Sequence, residues 1–360
     1  MRCHHPKNER IKRRYLQYMR EARRYSEDTV DAAAAALARF EAYTKYRDFH
    51  AFHIEQAIGF KAHLRDAHTG EPLSSATMYA ILKALRSFFQ WLADQPGYRS
   101  RISYSDAQYF NLDEKTTRVA RTRRESAFPS LEQIRHTLTR VPGQTAIDRR
   151  DRALIAFTLL TGARDSATAS LRFKHIDLAR NLLNQDAREV DTKFSKTIVT
   201  SFFPVGEDIQ SIVVDWVCYL QAELLWGPDD PLFPATEIAL IDGKFFANGL
   251  ARKHWSSTGP IRNIFKAAFT AAGLPYFNPH SFRKTLVQLG ERTCKTPEEF
   301  KAWSQNLGHE KVLTTFSSYG QVPSSRQAEI MARLAQPASS TQDDKIVEIV
   351  QEVLRRQNRK

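Results

Sequence analysis

Three short stretches carry residue types suited to phosphate chemistry. Thr161-Gly162-Ala163-Arg164, His280-Ser281-Phe282-Arg283 and Leu307-Gly308-His309 follow one another along the chain, and Tyr319 stands ten residues after His309. Phosphoryl transfer places negative charge on the non-bridging oxygens of its transition state. Arginine suits that charge, because its planar fork donates paired hydrogen bonds and keeps its proton. Arg164 and Arg283 are the candidates. A phenol with an ordinary pKa of about 10 needs a cationic pocket or a base before it attacks at neutral pH. Tyr319 is therefore read as the nucleophile, with His280 and His309 beside the arginines. A departing alkoxide needs a proton, which a lysine can give. Asp191-Thr192-Lys193-Phe194-Ser195-Lys196 offers Lys193 and Lys196. The set describes a way of breaking a phosphodiester without a metal.

The surrounding pattern says how these residues could be held. Arg164 follows a buried helix over 149–161 that ends at Gly162. Arg283 lies just inside a helix opened by Asn278-Pro279-His280, with His280 one turn earlier on the same face. Gly308 lets the backbone before His309 approach a ligand closely. Between 176 and 205 the pattern turns β-branched and aromatic, with Val190, Thr192, Thr197, Ile198, Val199, Thr200, Phe202 and Phe203, which predicts two or three short strands. Helices are expected near 208–225, 259–272, 281–292 and 297–307. Residues 227–258, rich in Pro, Gly, Asp and Trp, read as loop. Ser130 and Gln133 stand in capping-box register at the start of this second domain.

Upstream, residues 1–24 hold nine Lys and Arg against Glu9 and Glu21 and read as a basic arm. Helices follow from Ser26, over about 53–67 and over about 74–94. Together they make a compact helical domain. Residues 105–127 are polar, contain Arg118, Arg121, Arg123 and Arg124, and read as a linker that tracks a polyanion. After Tyr319, a helix is expected over 324–334. Pro337-Ala338-Ser339-Ser340-Thr341 is a flexible link, and Ile346, Ile349, Val350, Val353 and Leu354 form one apolar helical stripe.

Composition narrows the class. The chain has 360 residues, a net charge of +13 and a pI of about 9.7. Such a basic excess fits a polyanionic partner, because Lys and Arg displace condensed counterions from nucleic acid. Cys3, Cys218 and Cys294 are scattered, which excludes a disulfide framework and a CxxC zinc site and fits a reducing cytoplasm. No apolar run reaches the length of a membrane span, and the basic start lacks an apolar signal core. The pairs His4-His5, His50/His53 and His63/His68 lack a carboxylate or Cys partner alongside, so no metal is expected.

In this ordered set the chain resembles the tyrosine recombinases, the phage integrase family. Arg164 matches the first family arginine, His280 and Arg283 the HxxR pair, Leu307-Gly308-His309 the LGH box and Tyr319 the nucleophile. Lys193 best matches the hairpin lysine, with Lys196 as the alternative. The resemblance implies a mainly α fold: a helical core-binding domain over 25–104, then a mostly α catalytic domain over 128–336 with a small antiparallel β-sheet. It also implies a C-terminal helix over 337–360 that docks on a neighbouring protomer. The implied activity is site-specific recombination of double-stranded DNA through a 3′-phosphotyrosyl link, without metal, ATP or other cofactor. It would proceed through a Holliday junction in a homotetramer, with accessory DNA-bending proteins as further partners. Integration or excision of a mobile element is the implied use.

The chain departs from the family pattern in three places. Ala167 stands where the family commonly has glutamate. The step from His309 to Tyr319 is one residue longer than usual, and the segment from Lys193 to Pro204 is longer too. Other classes predict different behaviour. A type IB topoisomerase would relax DNA alone. A non-catalytic regulator would not need Tyr319. A metal nuclease would need clustered carboxylates.

Overall fold

The computed structural model describes residues 4–65, 73–121, 127–241, 243–309 and 331–332; of Phe194 and Ile241 it describes the backbone alone. The chain divides into two compact units, residues 1–124 and 125–360. It is mostly helical with small antiparallel sheets, as the sequence led us to expect. No described helix is long and apolar enough to cross a membrane.

The first unit contains α1 (Pro6–Glu21), α2 (Glu27–Tyr43), α3 (Ile54–Arg65), α4 (Ser75–Ala93) and α5 (Glu114–Arg121). Its core is a stack of phenylalanines. Phe40 meets Phe60, Phe89 and Phe110 edge-on, with ring centroids 5.2, 5.5 and 5.6 Å apart. Such offset and T-shaped pairs suit the aromatic quadrupole.

Two segments differ from the sequence reading. The expected arm is the helix α1, whose Ile11, Tyr15 and Met19 are buried in this core. The expected linker is ordered over its first part. It holds a 3-10 turn, Asp106–Phe110, whose Phe110 is 0% exposed, and then α5. Both misreadings have one cause: a few apolar residues anchor these segments while charged neighbours dominate their composition.

A buried polar knot fastens α1. Asn8, 0% exposed, donates to Glu41 Oε1 (3.1 Å) and to the Arg47 carbonyl (2.8 Å), and accepts from the Phe49 amide (3.0 Å). Lys12 Nζ reaches Glu41 Oε2 at 2.5 Å. Replacing Asn8 by Ala leaves the Phe49 amide and the Arg47 carbonyl without partners. Each such loss costs about 1–3 kcal/mol. Urea denaturation of Asn8→Ala is therefore expected to show a clearly lowered midpoint, and an unchanged midpoint would show that water replaces the knot.

The second unit begins with α6 (Leu131–Arg140), closed by the expected capping box: the Gln133 amide donates to Ser130 Oγ (3.2 Å) and the Ser130 amide to Gln133 Oε1 (2.9 Å). Then come α7 (Ala146–Thr161), α8 (Asp165–Ser170), β1 (Ile176–Asp177), β2 (Leu182–Gln185), β3 (Ile198–Ser201) and α9 (Glu207–Ala222). After these follow β4 (Ala235–Ile241), β5 (Lys244–Ala251), α10 (Gly259–Ala271), α11 (Phe282–Thr293) and α12 (Pro297–Asn306). From Ala153 to Thr161 α7 is buried on every side, in keeping with the largely apolar composition of that half. β1, β2 and β3 form one antiparallel sheet in that order, with Leu183 opposite Ile176 and Thr200.

Residues 227–258 are not simply loop. β4 and β5 form a separate antiparallel hairpin with Leu240 opposite Phe245. Ile238, Leu240, Phe245 and Phe246 are exposed on it, Phe245 at 78%. With apolar residues facing outward, the usual in-out alternation of a strand is missing, and the composition resembles a loop. Buried Arg150 of α7 ties the base of this hairpin, donating to the Pro234 carbonyl (3.0 Å) and Thr236 Oγ1 (2.9 Å).

Candidate active site

α7 ends in a left-handed residue, Gly162 (φ 61°), whose amide donates to the Thr158 carbonyl at 3.0 Å. A Cβ there would lie 3.0 Å from both Leu286 Cδ1 and Leu307 Cδ2, so strain and crowding both favour glycine. The chain then extends through Arg164, which precedes α8 and whose carbonyl caps Thr168 (2.8 Å). Arg164 is half-buried and forms no ion pair among the described residues. Burial holds its pKa below the ordinary arginine value.

Arg283 sits in the first turn of α11 and is 6% exposed. Its Nη1 donates to the Gly162 carbonyl at 2.5 Å, and its Nη2 to the Leu307 carbonyl and to His309 Nε2, the latter at 2.9 Å. One guanidinium thus joins the end of α7, the start of α11 and the turn after α12. Burial, and then the charge of Arg164, push its pKa down to about 9. Arg283 feels Arg164 as a like charge in a desolvated space, an arrangement that an anion would relieve.

His309 is placed by the end of α12. The Gly308 amide donates to the Gln305 carbonyl (2.7 Å) and the His309 amide to the Ser304 carbonyl (3.2 Å), the paired bonds of a Schellman cap around left-handed Gly308 (φ 68°). A Cβ on Gly308 would come within 3.0 Å of Ile198 Cδ1, so the glycine permits close packing on β3. Asn306 fixes that contact, accepting from the Ser201 amide (2.7 Å) and donating to the Ser201 carbonyl (2.8 Å).

His280 lies in a 3-10 turn, Pro279–Ser281, capped by the Asn278 side chain, rather than inside α11. Desolvation, Arg283, Arg164 and Lys193 lower its pKa, against the opposing charge of Asp165. Burial, Arg283, Arg164 and His280 push His309 down to about 4. Both imidazoles are therefore neutral at pH 7.

The sign of the resulting pH effect follows. Unfolded histidine titrates near pH 6.5, whereas folded His309 titrates near about 4. The stability tied to neutral His309 is complete above about pH 6.5 and is lost as pH falls towards about 4. Thermal unfolding across that window is expected to show a falling Tm, with a shallower fall in His309→Gln. Parallel profiles would place the acid sensitivity elsewhere.

The structure brings together Arg164, His280, Arg283 and His309, and Lys193 is near enough for its charge to act on His280. Lys193 stands on a 3-10 turn, Lys193–Ser195, between β2 and β3, and Lys196 follows in extended backbone. Arg118 and Arg121 belong to α5 of the first unit; Arg118 pairs with Glu114 (2.5 Å). Tyr319, Arg123, Arg124, and the expected helices over 324–334 and 337–360 lie outside the described residues, apart from Met331 and Ala332. Ala167, where the resemblance leads one to expect glutamate, is 2% exposed and packed in the core. The carboxylate that acts on His280 is Asp165, itself held by Arg262 at 2.9 Å. Asp165, beside Arg164, reads from the sequence as structural, and Asn306 did not stand out, because its partner lies about 100 residues away.

Residues 13–96 match the family model for the phage integrase N-terminal SAM-like domain. A lambda integrase dimer bound to a COC′ core site shares 14% identity and a TM-score of 0.60, over 86% of this chain and 94% of that one. A Tn1549 transposon integrase in complex with transposon right end DNA shares 15% identity and a TM-score of 0.58, over 90% and 99%. A lambda integrase tetramer bound to a Holliday junction shares 13% identity and a TM-score of 0.57, over 88% and 78%. No curated protein sequence matches the chain. The chain thus matches an N-terminal integrase domain over residues 13–96 and shares its fold with those integrases.

Proposed function

We propose that this protein is a site-specific DNA recombinase that cuts and rejoins strands through a 3′-phosphotyrosyl intermediate. The observation that carries the proposal is the joining of Arg164, His280, Arg283 and His309 around one desolvated, cationic space. These residues come from separate stretches of sequence, and no carboxylate pairs with Arg164 or Arg283 among the described residues.

A scissile phosphate bound there would accept hydrogen bonds from Arg164 and Arg283, and the charge growing on its non-bridging oxygens would meet fixed cations. Tyr319 Oη would bond to phosphorus as the bond to the 5′ oxygen breaks. The phenolic proton can pass to the neutral imidazole of His280. Lys193, with Lys196 as the alternative, would give a proton to the departing 5′ oxygen. The reverse attack, by the 5′-hydroxyl of a partner strand, restores the phosphodiester and frees the tyrosine. The bond energy is conserved throughout, so the step needs no ATP. Two guanidinium groups supply the positive charge that a metal would otherwise provide.

In this reading residues 25–104, with α1, form the core-binding domain and residues 128–336 the catalytic domain. Residues 105–127, including Arg118, Arg121, Arg123 and Arg124, run along the duplex. Residues 337–360 dock on a neighbour. The assembly would be a tetramer on two duplexes in a bacterial cytoplasm, serving integration or excision of a mobile element, with DNA-bending proteins as helpers. The lambda integrase tetramer on a Holliday junction supports that assembly by its fold.

The test is to incubate the protein with DNA flanking its own gene, in chelator, and quench with denaturant. A covalent protein–DNA adduct is expected. Cleavage that requires a divalent metal and leaves no adduct would overturn the proposal.

A further inference from the structure

α8 begins with one acid, Asp165, directly after Arg164, and carries no other. Both of its carboxylate oxygens are engaged. Oδ1 accepts from the Ser166 amide (3.1 Å). Oδ2 accepts from Arg262 Nε (2.9 Å), with Arg262 Nη2 also 2.9 Å away. Arg262 comes from the first turn of α10. The two partners differ in exposure: the Asp165 side chain is 22% exposed and that of Arg262 is 56% exposed. Asp165 is thus the more shielded of the pair, and its charge acts on the imidazole of His280. Tyr276, in the connection from α10 to the turn that holds His280, feels both charges and belongs to the same cluster.

The cluster answers a problem set by the cleavage step. When His280 takes the phenolic proton of Tyr319, a new cation forms among Arg283, Arg164 and Lys193. Another cation in a desolvated space is disfavoured unless a negative group offsets it. The scissile phosphate is already shared by the two arginines. His309, on the other side, is an imidazole and carries no negative charge. Asp165 is the carboxylate in range, and Arg262 draws on that same carboxylate from outside.

We infer that Asp165 is a positioning residue for the cleavage step: it supplies the counter-charge for protonated His280, and Arg262 sets how much of that charge reaches the imidazole. The inference deepens the recombinase reading and rests on it. The alternative is that the pair merely ties α8 to α10. The two roles predict different signs. A tie is broken equally by removing either partner. A counter-charge and its modulator act in opposite directions. Asp165→Asn takes the carboxylate away from His280, whereas Arg262→Gln removes a cation and leaves the whole carboxylate to the imidazole. Asparagine at 165 can still accept from the Ser166 amide, so the start of α8 keeps its local bond.

Two readouts separate these roles. The first is the His280 ring itself, followed by NMR of the histidine-labelled full chain from about pH 4 to about pH 8, without DNA. Its signal is assigned through His280→Gln. His309 is told apart by its own midpoint at about 4, and Tyr276, raised by desolvation, stays a neutral phenol. Relative to the wild type, the His280 midpoint is expected at lower pH in Asp165→Asn and at higher pH in Arg262→Gln. An unchanged midpoint in Asp165→Asn, or a shift in the same direction in both variants, would overturn the inference. The second readout is the single-turnover rate of adduct formation with DNA flanking the gene, DNA in excess. The acid limb of its pH profile should move down in Asp165→Asn, with a lower plateau because the base is weaker, and up in Arg262→Gln. Equal losses at every pH in both variants would reduce the pair to a tie and overturn the counter-charge role. A wild type that forms no adduct at any pH would instead count against the recombinase reading, while the His280 midpoints still decide what Asp165 and Arg262 do.

Discussion

Arg283→Ala is expected to abolish detectable strand cleavage and to lower stability at the same time. The two effects have different origins. A fixed donor aimed at developing negative charge contributes about 2.7–4 kcal/mol, or roughly two to three orders of magnitude in rate. Arg283 also bonds the carbonyls of Gly162 and Leu307 and the ring of His309. Its removal strands two buried acceptors, each at a cost of about 1–3 kcal/mol, and releases the turn that holds His309. Arg283→Lys separates the roles. Lysine keeps the charge but cannot span Gly162, Leu307 and a phosphate together. We expect Arg283→Lys to unfold closer to the wild type than Arg283→Ala does, while cleavage remains at least about a hundredfold down. Near-normal cleavage by Arg283→Lys would mean that charge alone suffices and that the fork geometry is incidental.

Tyr319→Phe is expected to bind DNA as tightly as the wild type and to form no covalent adduct. The substitution removes one oxygen and leaves the cationic groups around Arg164 and Arg283 untouched. Without the nucleophile, the residual rate is that of water attack, and adduct formation should fall below detection. Gel shift and denaturing electrophoresis on the same samples read both properties. Strand exchange by Tyr319→Phe would show that another side chain is the nucleophile. A loss of binding equal to the loss of adduct would assign Tyr319 to DNA contact instead.

The site could be read in the sequence wherever a local motif carried its own geometry. Gly162 ends α7 as a buried helix followed by glycine suggested, and Gly308 makes a cap that any helix can form from neighbouring residues. Ser130 and Gln133 cap α6 for the same reason. What could not be read was long-range. Asn306 bonds β3 across about 100 residues, and Asp165 finds Arg262 over a similar span; no periodicity marks either pairing. Asn8 of α1 is buried because Arg47 and Phe49 offer backbone partners, and its polarity argued for the surface. Fold class was clearer than boundaries, since the apolar periods of α4, α9 and α11 are strong. The β4–β5 hairpin presents its apolar side chains outward and so hid from the rule that finds strands.

One measurement bears most directly on the central claim. The adduct formed in chelator with DNA from around the gene should be trapped in denaturant, digested with nuclease and protease, and mapped by mass spectrometry. The account predicts a nucleotide phosphate linked to the peptide containing Tyr319. A modified peptide elsewhere, or a cut strand with no modified peptide, would contradict it.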